Sequence, residues 1–301
     1  MRTPDFFVVG ASKCGTTALC EYLAANPSVC FARTKEPHFY SDDFPGQKAD
    51  EDFAAYWRRN FSFFDPASHV AIGDGSGTYY ISSVAVSNIL AANPAARFIY
   101  MVRDPVDMMA SWHQHVQFGI GEPATLEELW ETRKPVIREI DFRSELKARE
   151  HFWQYRALAS LGTRLEEMKK IIPAEQLMVI VFDDFIRDPK TTYEKVLAFI
   201  GVPSDARTAF PQVNQARAQR SYMLGRLNTA MPRWLINAVR EFKHLVGLTH
   251  VSMNILVKLN AKKIERPPLT EAFRQKLVAE FAPEVSLLET HLGRDLSAWR
   301  R

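Results

Sequence analysis

Residues 10–17, GASKCGTT, place two glycines, a lysine and three hydroxyl side chains within eight positions. Gly10 and Gly15 allow the backbone to turn sharply, and Thr16-Thr17 open a helical stretch. The free N–H groups and dipole at such a helix start favour an anion, and the hydroxyls of Ser12, Thr16 and Thr17 add donors. In the triphosphate loop GxxxxGK[ST] the lysine follows the second glycine. Here Thr16 holds that place, and Lys13 stands ahead of Gly15 on the crest of the turn. From there it reaches past a bound phosphate to the next group along. A glycine-rich turn with a solvated lysine is the plainer alternative, but the apolar run before the loop and the periodic helix after it supply the context a phosphate site needs. Cys14 lies beside Lys13 near the helix start, surroundings that lower a thiol pKa, although a small space-filling residue is the simpler reading.

A second constellation lies in YMVRDPVDMMASWHQH, residues 100–115. Arg103 ends an apolar run with a planar fork suited to phosphate, and Ser111 follows eight residues on with a hydroxyl. With the first loop, this pair suggests two separate phosphate-binding points on one ligand. The run ends in Arg103 ahead of its Asp, so no strand-end carboxylate obviously serves a magnesium ion, and no metal is expected. His113 and His115 follow on the same helix and read as surface or pocket-rim residues.

Short apolar runs alternating with helical stretches must position these groups. Strands are expected at 6–11, 69–74, 97–104 and 177–185, each followed by a helix. Runs without polar alternation are buried on both faces, as parallel sheets require. The fold expected is therefore α/β: a P-loop-like parallel sheet of four or five strands flanked by helices, forming a single domain over 1–301. The core is placed at 1–204, with a helical C-terminal elaboration at 205–301 that shows no clear strand. Pro267-Pro268 punctuates a last amphipathic helix, EAFRQKLVAEFAPEVSLLETHL.

The bulk properties are those of an ordinary globular protein. The 301 residues are 47% hydrophobic and 24% charged, with a formal net charge of +3, too little to imply nucleic-acid binding. Three cysteines, Cys14, Cys20 and Cys30, suit a reducing compartment better than a disulfide framework. The chain opens directly on a buried-strand pattern, without the apolar core of a secretory leader, and has no run of about 18 apolar residues. A cytoplasmic location is expected. Residues 226–266 hold eight Lys/Arg against two Glu. Trp234, Leu235, Val239, Phe242 and Val246 form a helical stripe there, which either packs on the core or rests on an anionic membrane surface.

VVGASKCGTTAL, RTKEPHFYS, RDPVDMMASW, FDDFIRDPKTTYEKVLAFIGV and GRDLSAW together resemble the sulfotransferases that use 3′-phosphoadenosine 5′-phosphosulfate, in the branch holding heparan-sulfate-type and bacterial carbohydrate enzymes. The resemblance implies that Ser12, Lys13, Cys14, Gly15, Thr16 and Thr17 cradle the 5′-phosphate. It sets Lys13 against the oxygen bridging phosphate and sulfur, and gives the 3′-phosphate to Arg103 and Ser111. A basic loop that closes over the nucleotide in the family falls near FPQVNQARAQRSY, making Arg217 and Arg220 candidates, against a solvated basic linker. IGDGSGTYY matches a segment in which Glu then Lys precede a Ser-Pro-x-Tyr stretch. Asp74 falls on the Glu and is the expected general base, while Gly75 replaces the lysine and Gly77 the proline. His38 in KEPHFY is the rival base by its ordinary pKa, with Lys35 and Glu36 orienting substrate or Asp74. The implied acceptor is a hydroxyl on a carbohydrate, glycolipid or small molecule. Tyr56, Trp57, Phe61 and Trp153 either stack on a sugar or belong to the core. Two other readings stay open: a P-loop kinase of a small metabolite, and a nucleotide-binding protein without catalysis.

Overall fold

The structure is a computed structural model and describes residues 1–44, 51–120, 124–132, 154–211, 217–219, 261–263 and 268–301. The apolar runs form five strands: β1 (Phe6–Gly10), β2 (Val29–Phe31), β3 (Ala71–Gly75), β4 (Arg97–Val102) and β5 (Leu177–Val181). They make one sheet in the order β2-β3-β1-β4-β5, and every pairing in it is parallel. All five residues of β1 are buried, as a central strand covered on both faces must be. The four expected strands are all present, and β2 comes from the three-residue run VCF, too short to show a pattern in the sequence. The run at 177–185 divides at Val181. Asp183 and Asp184 fall in the first turn of a helix, where negative charge suits the dipole.

Helices α1 (Thr16–Ala24), α2 (Phe53–Phe61), α3 (Ala85–Ala92) and α4 (Pro105–Ile120) follow β1, β2, β3 and β4. Next come α5 (Leu126–Thr132), α6 (Tyr155–Ala159) and α7 (Leu161–Ile171), then α8 (Phe182–Arg187) and α9 (Pro189–Ile200) after β5, and finally α10 (Glu271–Leu292). The expected last helix matches α10. Its start is capped by Thr270, whose side chain accepts from the Phe273 N–H, and Gly293 ends it in the left-handed conformation. Phe273, Leu277, Val278, Phe281, Val285 and Leu288 form its buried stripe.

The described chain falls into two compact units. The first comprises Met1–Met109, Arg133–Asn214 and Thr270–Arg301, and the second Ala110–Thr132 and Gln215–Leu269. The compact units therefore do not divide at residue 204. Within the second, β6 (Arg217–Gln219) and β7 (Ala261–Lys263) pair antiparallel. This overturns the expectation of no strand beyond 205: each strand is three residues long, and their partnership spans more than forty residues of sequence, beyond any local pattern. The stripe from Trp234 to Val246 lies outside the described residues. Among the described residues no helix is long and apolar enough to cross a membrane.

In the first unit α10 rests on α7, and the contact is tightest at Gly162. A Cβ there would lie 2.4 Å from the Glu284 carbonyl oxygen, a backbone atom that cannot swing aside. Thr163 then donates from both its N–H (2.8 Å) and hydroxyl (2.7 Å) to the Glu284 carboxylate. Gly162→Ala should destabilise the protein by about 1–3 kcal/mol through overpacking, read as a lower midpoint in denaturant unfolding. An unchanged midpoint would show that α10 yields at this contact.

Candidate active site

The groups singled out in the sequence leave the carboxyl ends of the parallel strands, where ligands bind in open α/β sheets. Lys13 follows β1, Glu36 and His38 follow β2, Asp74 lies near the end of β3 and Arg103 follows β4, while Ser76, which the sequence did not single out, follows β3. The end of β1 is held on both sides. Ala11 N–H donates to the Met101 carbonyl at 2.8 Å, while the N–H groups of Ser76 and Tyr80 donate to Val8 and Val9 at 3.2 and 3.0 Å.

In the loop after β1, Lys13 has φ 65° and Gly15 has φ 93°, both in the left-handed region. That bend sets Lys13 on the crest and starts α1 at Gly15 without a side-chain cap, so no side chain of the cap residue satisfies the first-turn N–H groups. Ser12, Lys13, Thr16 and Thr17 are half-buried around it. This donor set of uncapped helix N–H groups, hydroxyls and an ammonium fits a phosphate.

Arg103 joins the loop. Its guanidinium donates to the Lys13 carbonyl at 3.4 Å and to Asp107 at 3.3 Å, and lies 4.6 Å from the Phe182 ring centroid. Stacking on Phe182 and the Asp107 pair hold the planar fork beside the loop. Ser111 lies farther along α4, in the second unit, and is half-buried. Arg217 lies in β6, and Arg220 is outside the described residues.

Cys14 is fully buried. Burial pushes its thiol up to about 12, outweighing the opposing pull of Arg103 and Lys13. This corrects the expectation of a lowered thiol pKa: desolvation of the thiolate is the larger effect, and Cys14 is an inert filler of the loop.

Asp74 is also fully buried, and its oxygens are engaged. Tyr56 and Tyr79 donate their hydroxyls to Oδ2 at 2.7 and 2.9 Å, and Ser76 donates to Oδ1 at 3.1 Å. Burial raises this carboxyl to about 6 against the lowering pull of those three bonds. The raised value suits a base, but the position does not. Gly75, Ser76 and Gly77, which follow Asp74 in the chain, line the nearby cavity, and Asp74 itself does not. Asp74, expected to take the acceptor's proton, has no exposed surface here, and its oxygens already hold three hydroxyl donors.

That cavity, of about 180 Å³, is lined by Thr16, Thr17 and Cys20 of α1, by Glu36, and by Gly75 and Ser76 at the end of β3. A Cβ at Gly75 would meet Cys20 Sγ at 2.7 Å and Phe31 at 3.1 Å, which accounts for the glycine where the resembled family has lysine. Glu36, expected as an orienting residue, is far more exposed than Asp74. Its side chain is 41% exposed, yet burial of its surroundings raises its pKa against the pull of Lys35 and Lys13. The signal in the sequence was a plain KE pair before a proline, which carries no periodicity.

His38 is buried. Its Nδ1 lies 2.8 Å from Thr78 Oγ1 and its Nε2 lies 3.7 Å from Glu36 Oε2. Glu36 and His38 both have positive φ, 54° and 56°, a strained state for residues with a Cβ. Of the remaining candidates, His113 is buried and its pKa is lowered to about 4 by that burial, so it is not a surface residue, while His115 is exposed. Tyr56 and Phe61 belong to the core, Trp57 is half-buried and donates to the Arg2 carbonyl, and Trp153 lies outside the described residues. No cluster of potential metal ligands occurs among the described residues.

The sulfotransferase domain family model matches residues 3–224. The human bifunctional heparan sulfate N-deacetylase/N-sulfotransferase 3 is 29% identical over 215 residues, covering 67% of this chain and 22% of that protein. The chain therefore corresponds to about a fifth of that relative's length. Human heparan sulfate glucosamine 3-O-sulfotransferase 6 is 23% identical over 255 residues, covering 80% of this chain and 69% of its own. Among solved structures, a sulfotransferase from Alicyclobacillus acidocaldarius superposes with a TM-score of 0.70 at 27% identity, covering the whole of both chains.

The Asp74 carboxyl yields a prediction whose sign follows from burial. Its folded value of about 6 lies above the ordinary 3.8. Between those values the folded chain holds a proton that the unfolded chain has released. Stability from this group is thus present below about pH 4 and lost as pH rises through about 6. Asp104 is raised to about 6 as well, so the comparison is with Asp74→Asn. The wild type's unfolding free energy relative to that variant should fall from pH 4 to pH 7. A constant difference would contradict the buried assignment.

Proposed function

The chain belongs to the sulfotransferase domain family, and on that ground we propose that it moves a sulfuryl group from 3′-phosphoadenosine 5′-phosphosulfate to an acceptor hydroxyl on a carbohydrate or glycolipid. The observation that carries this reading is the loop crest: Lys13 ahead of Gly15, with the Arg103 guanidinium at its carbonyl oxygen. The loop N–H groups with Ser12, Thr16 and Thr17 take the 5′-phosphate. Arg103, with Ser111 by the resemblance, takes the 3′-phosphate that separates this donor from ATP, and Arg217 and Arg220 are candidates from the basic loop that in the family closes over the nucleotide.

The nucleotide supplies an activated sulfuryl group. The acceptor oxygen attacks sulfur in line, and the bond from sulfur to the phosphate oxygen breaks. Most of the acceleration of such a transfer lies in positioning and charge stabilisation. Lys13 neutralises the charge gathering on the departing phosphate oxygen. Glu36 replaces Asp74 as the proposed base. It lines the cavity, has Lys13 as an electrostatic neighbour, and is more basic than an ordinary glutamate. The acceptor proton passes to its carboxylate as the new O–S bond forms. His38, tied to Thr78, orients Glu36 and does not take the proton itself. The three free cysteines support the cytoplasmic location we assign.

Lys13→Ala should lower turnover by roughly 100-fold or more, the scale of a lost charge-stabilising donor. Glu36→Gln should lower it by about 10²–10⁴-fold and remove the acidic limb of the pH–rate profile, whereas His38→Ala should keep that limb. Calorimetry with 3′-phosphoadenosine 5′-phosphate should give binding that weakens when the 3′-phosphate is omitted and again in Arg103→Ala. Equal affinity for adenosine 5′-phosphate would refute the donor assignment.

A further inference from the structure

Asp74 has no surface with which to meet a substrate, yet a charged group buried this deeply is costly unless it is paired. Its surroundings are aromatic. Tyr56 and Tyr79 donate to it, and their rings pack around Tyr40, whose centroid lies 6.1 and 6.2 Å from the two. On its other oxygen the chain of bonds leads outward. Ser76 donates to Asp74 Oδ1 at 3.1 Å and accepts from the His38 N–H at 3.0 Å.

His38 lies two residues from Glu36, and both hold a left-handed backbone. A conformation of that kind persists only where the surroundings over-determine it. The restraints come from the segment after β3. Ser76 fixes the His38 backbone, and Thr78 engages the imidazole at 2.8 Å and the Ser41 hydroxyl at 2.9 Å. The same segment reaches the phosphate loop. A Cβ at Gly77 would lie 3.1 Å from Ser12 Oγ and 3.7 Å from Glu36 Oε2, so the main chain of residues 74–78 runs between the loop that would hold the donor and the residue that would take the proton.

We propose that Asp74 is a positioning residue, which acts through the Ser76 hydroxyl on the His38 N–H to hold the strained Glu36–His38 turn with the Glu36 carboxylate at the cavity. The charge orients the relay: an acceptor at Asp74 forces the Ser76 hydroxyl proton inward, leaving the Ser76 oxygen lone pairs to receive the His38 N–H. An asparagine at 74 presents an NH2 group as well as an oxygen to three hydroxyl donors and cannot accept from all of them. The three donors compete, and the direction of the Ser76 hydroxyl is no longer imposed. The proposal rests on Glu36 being the base, but the geometry of the turn can be read without any activity.

Two variants test it together. Asp74→Asn removes the charge and one of the two acceptor oxygens, and Ser76→Ala removes the relay while leaving the buried carboxylate with both tyrosines, so it guards against an Asp74 variant that fails to fold. Each should lower kcat by roughly 10–100-fold, the scale of a catalytic group displaced by about an ångström. The KM for the donor should stay within about two-fold of wild type, because the phosphate loop is untouched. The double variant should be no worse than the weaker single one, since both break one link. A crystal structure of Ser76→Ala should show Glu36 and His38 leaving the left-handed region. Wild-type kcat in Ser76→Ala, multiplicative losses in the double variant, or an unchanged turn in that crystal structure would each overturn the assignment. If the wild-type protein transfers no sulfuryl group at all, the proposed function fails, and the conformation of the turn still decides the role of Asp74.

Discussion

The end of β1 is pinned by hydrogen bonds from both neighbouring segments, and the site depends on that clamp. A central strand can pass directly into a tight loop only if its last carbonyls find partners, because a buried unpaired carbonyl is costly. The Val8 and Val9 carbonyls accept from the backbone N–H groups after β3, and on the other side the Ala11 N–H donates to the Met101 carbonyl of β4. The loop that follows is therefore fixed in height and direction relative to three strands. Its crest residue has little choice of where to point its backbone, and Lys13 takes a left-handed conformation there.

Charge is distributed around that crest with a consistent logic. Lys13 and Arg103 stand at the loop, and Arg103 divides its guanidinium between the Lys13 carbonyl, the Asp107 carboxylate and the face of Phe182. The acids are sorted by depth. Glu36 sits at the cavity with partial exposure, whereas Asp74 lies at the bottom of an aromatic cluster with hydroxyl donors on both oxygens. Both have raised pKa values from burial, so a shifted value by itself does not separate a carboxylate at a cavity from one enclosed among hydroxyl donors. Access separates them.

The thiols illustrate the same point. Cys14 has two cations and a helix start beside it, the setting in which a reactive cysteine is sought, and burial still outweighs them. Cys20 is raised further, to a value well above the ordinary thiol range, and contributes shape: its sulfur fills the space that any side chain at Gly75 would need. The departure from the family pattern at that position is thus matched by a contact across the sheet to α1.

The long, strongly patterned elements were legible in the residues alone. The four apolar runs, the helix after the first loop and the capped α10 all follow from local periodicity and terminal signals, which need no distant partner. The loop after β1 was legible for the same reason, since its glycines, hydroxyls and lysine fall within one short stretch. β2, the β6–β7 pair and the division of the compact units were not, because each depends on pairing between segments far apart in the chain. The assignment of roles among Asp74, Glu36 and His38 was beyond the sequence as well: all three are plausible proton acceptors by type. Only the fold decides what a carboxylate meets: Asp74 at the end of β3 is enclosed by Tyr56 and Tyr79, while the turn after β2 brings Glu36 to the cavity.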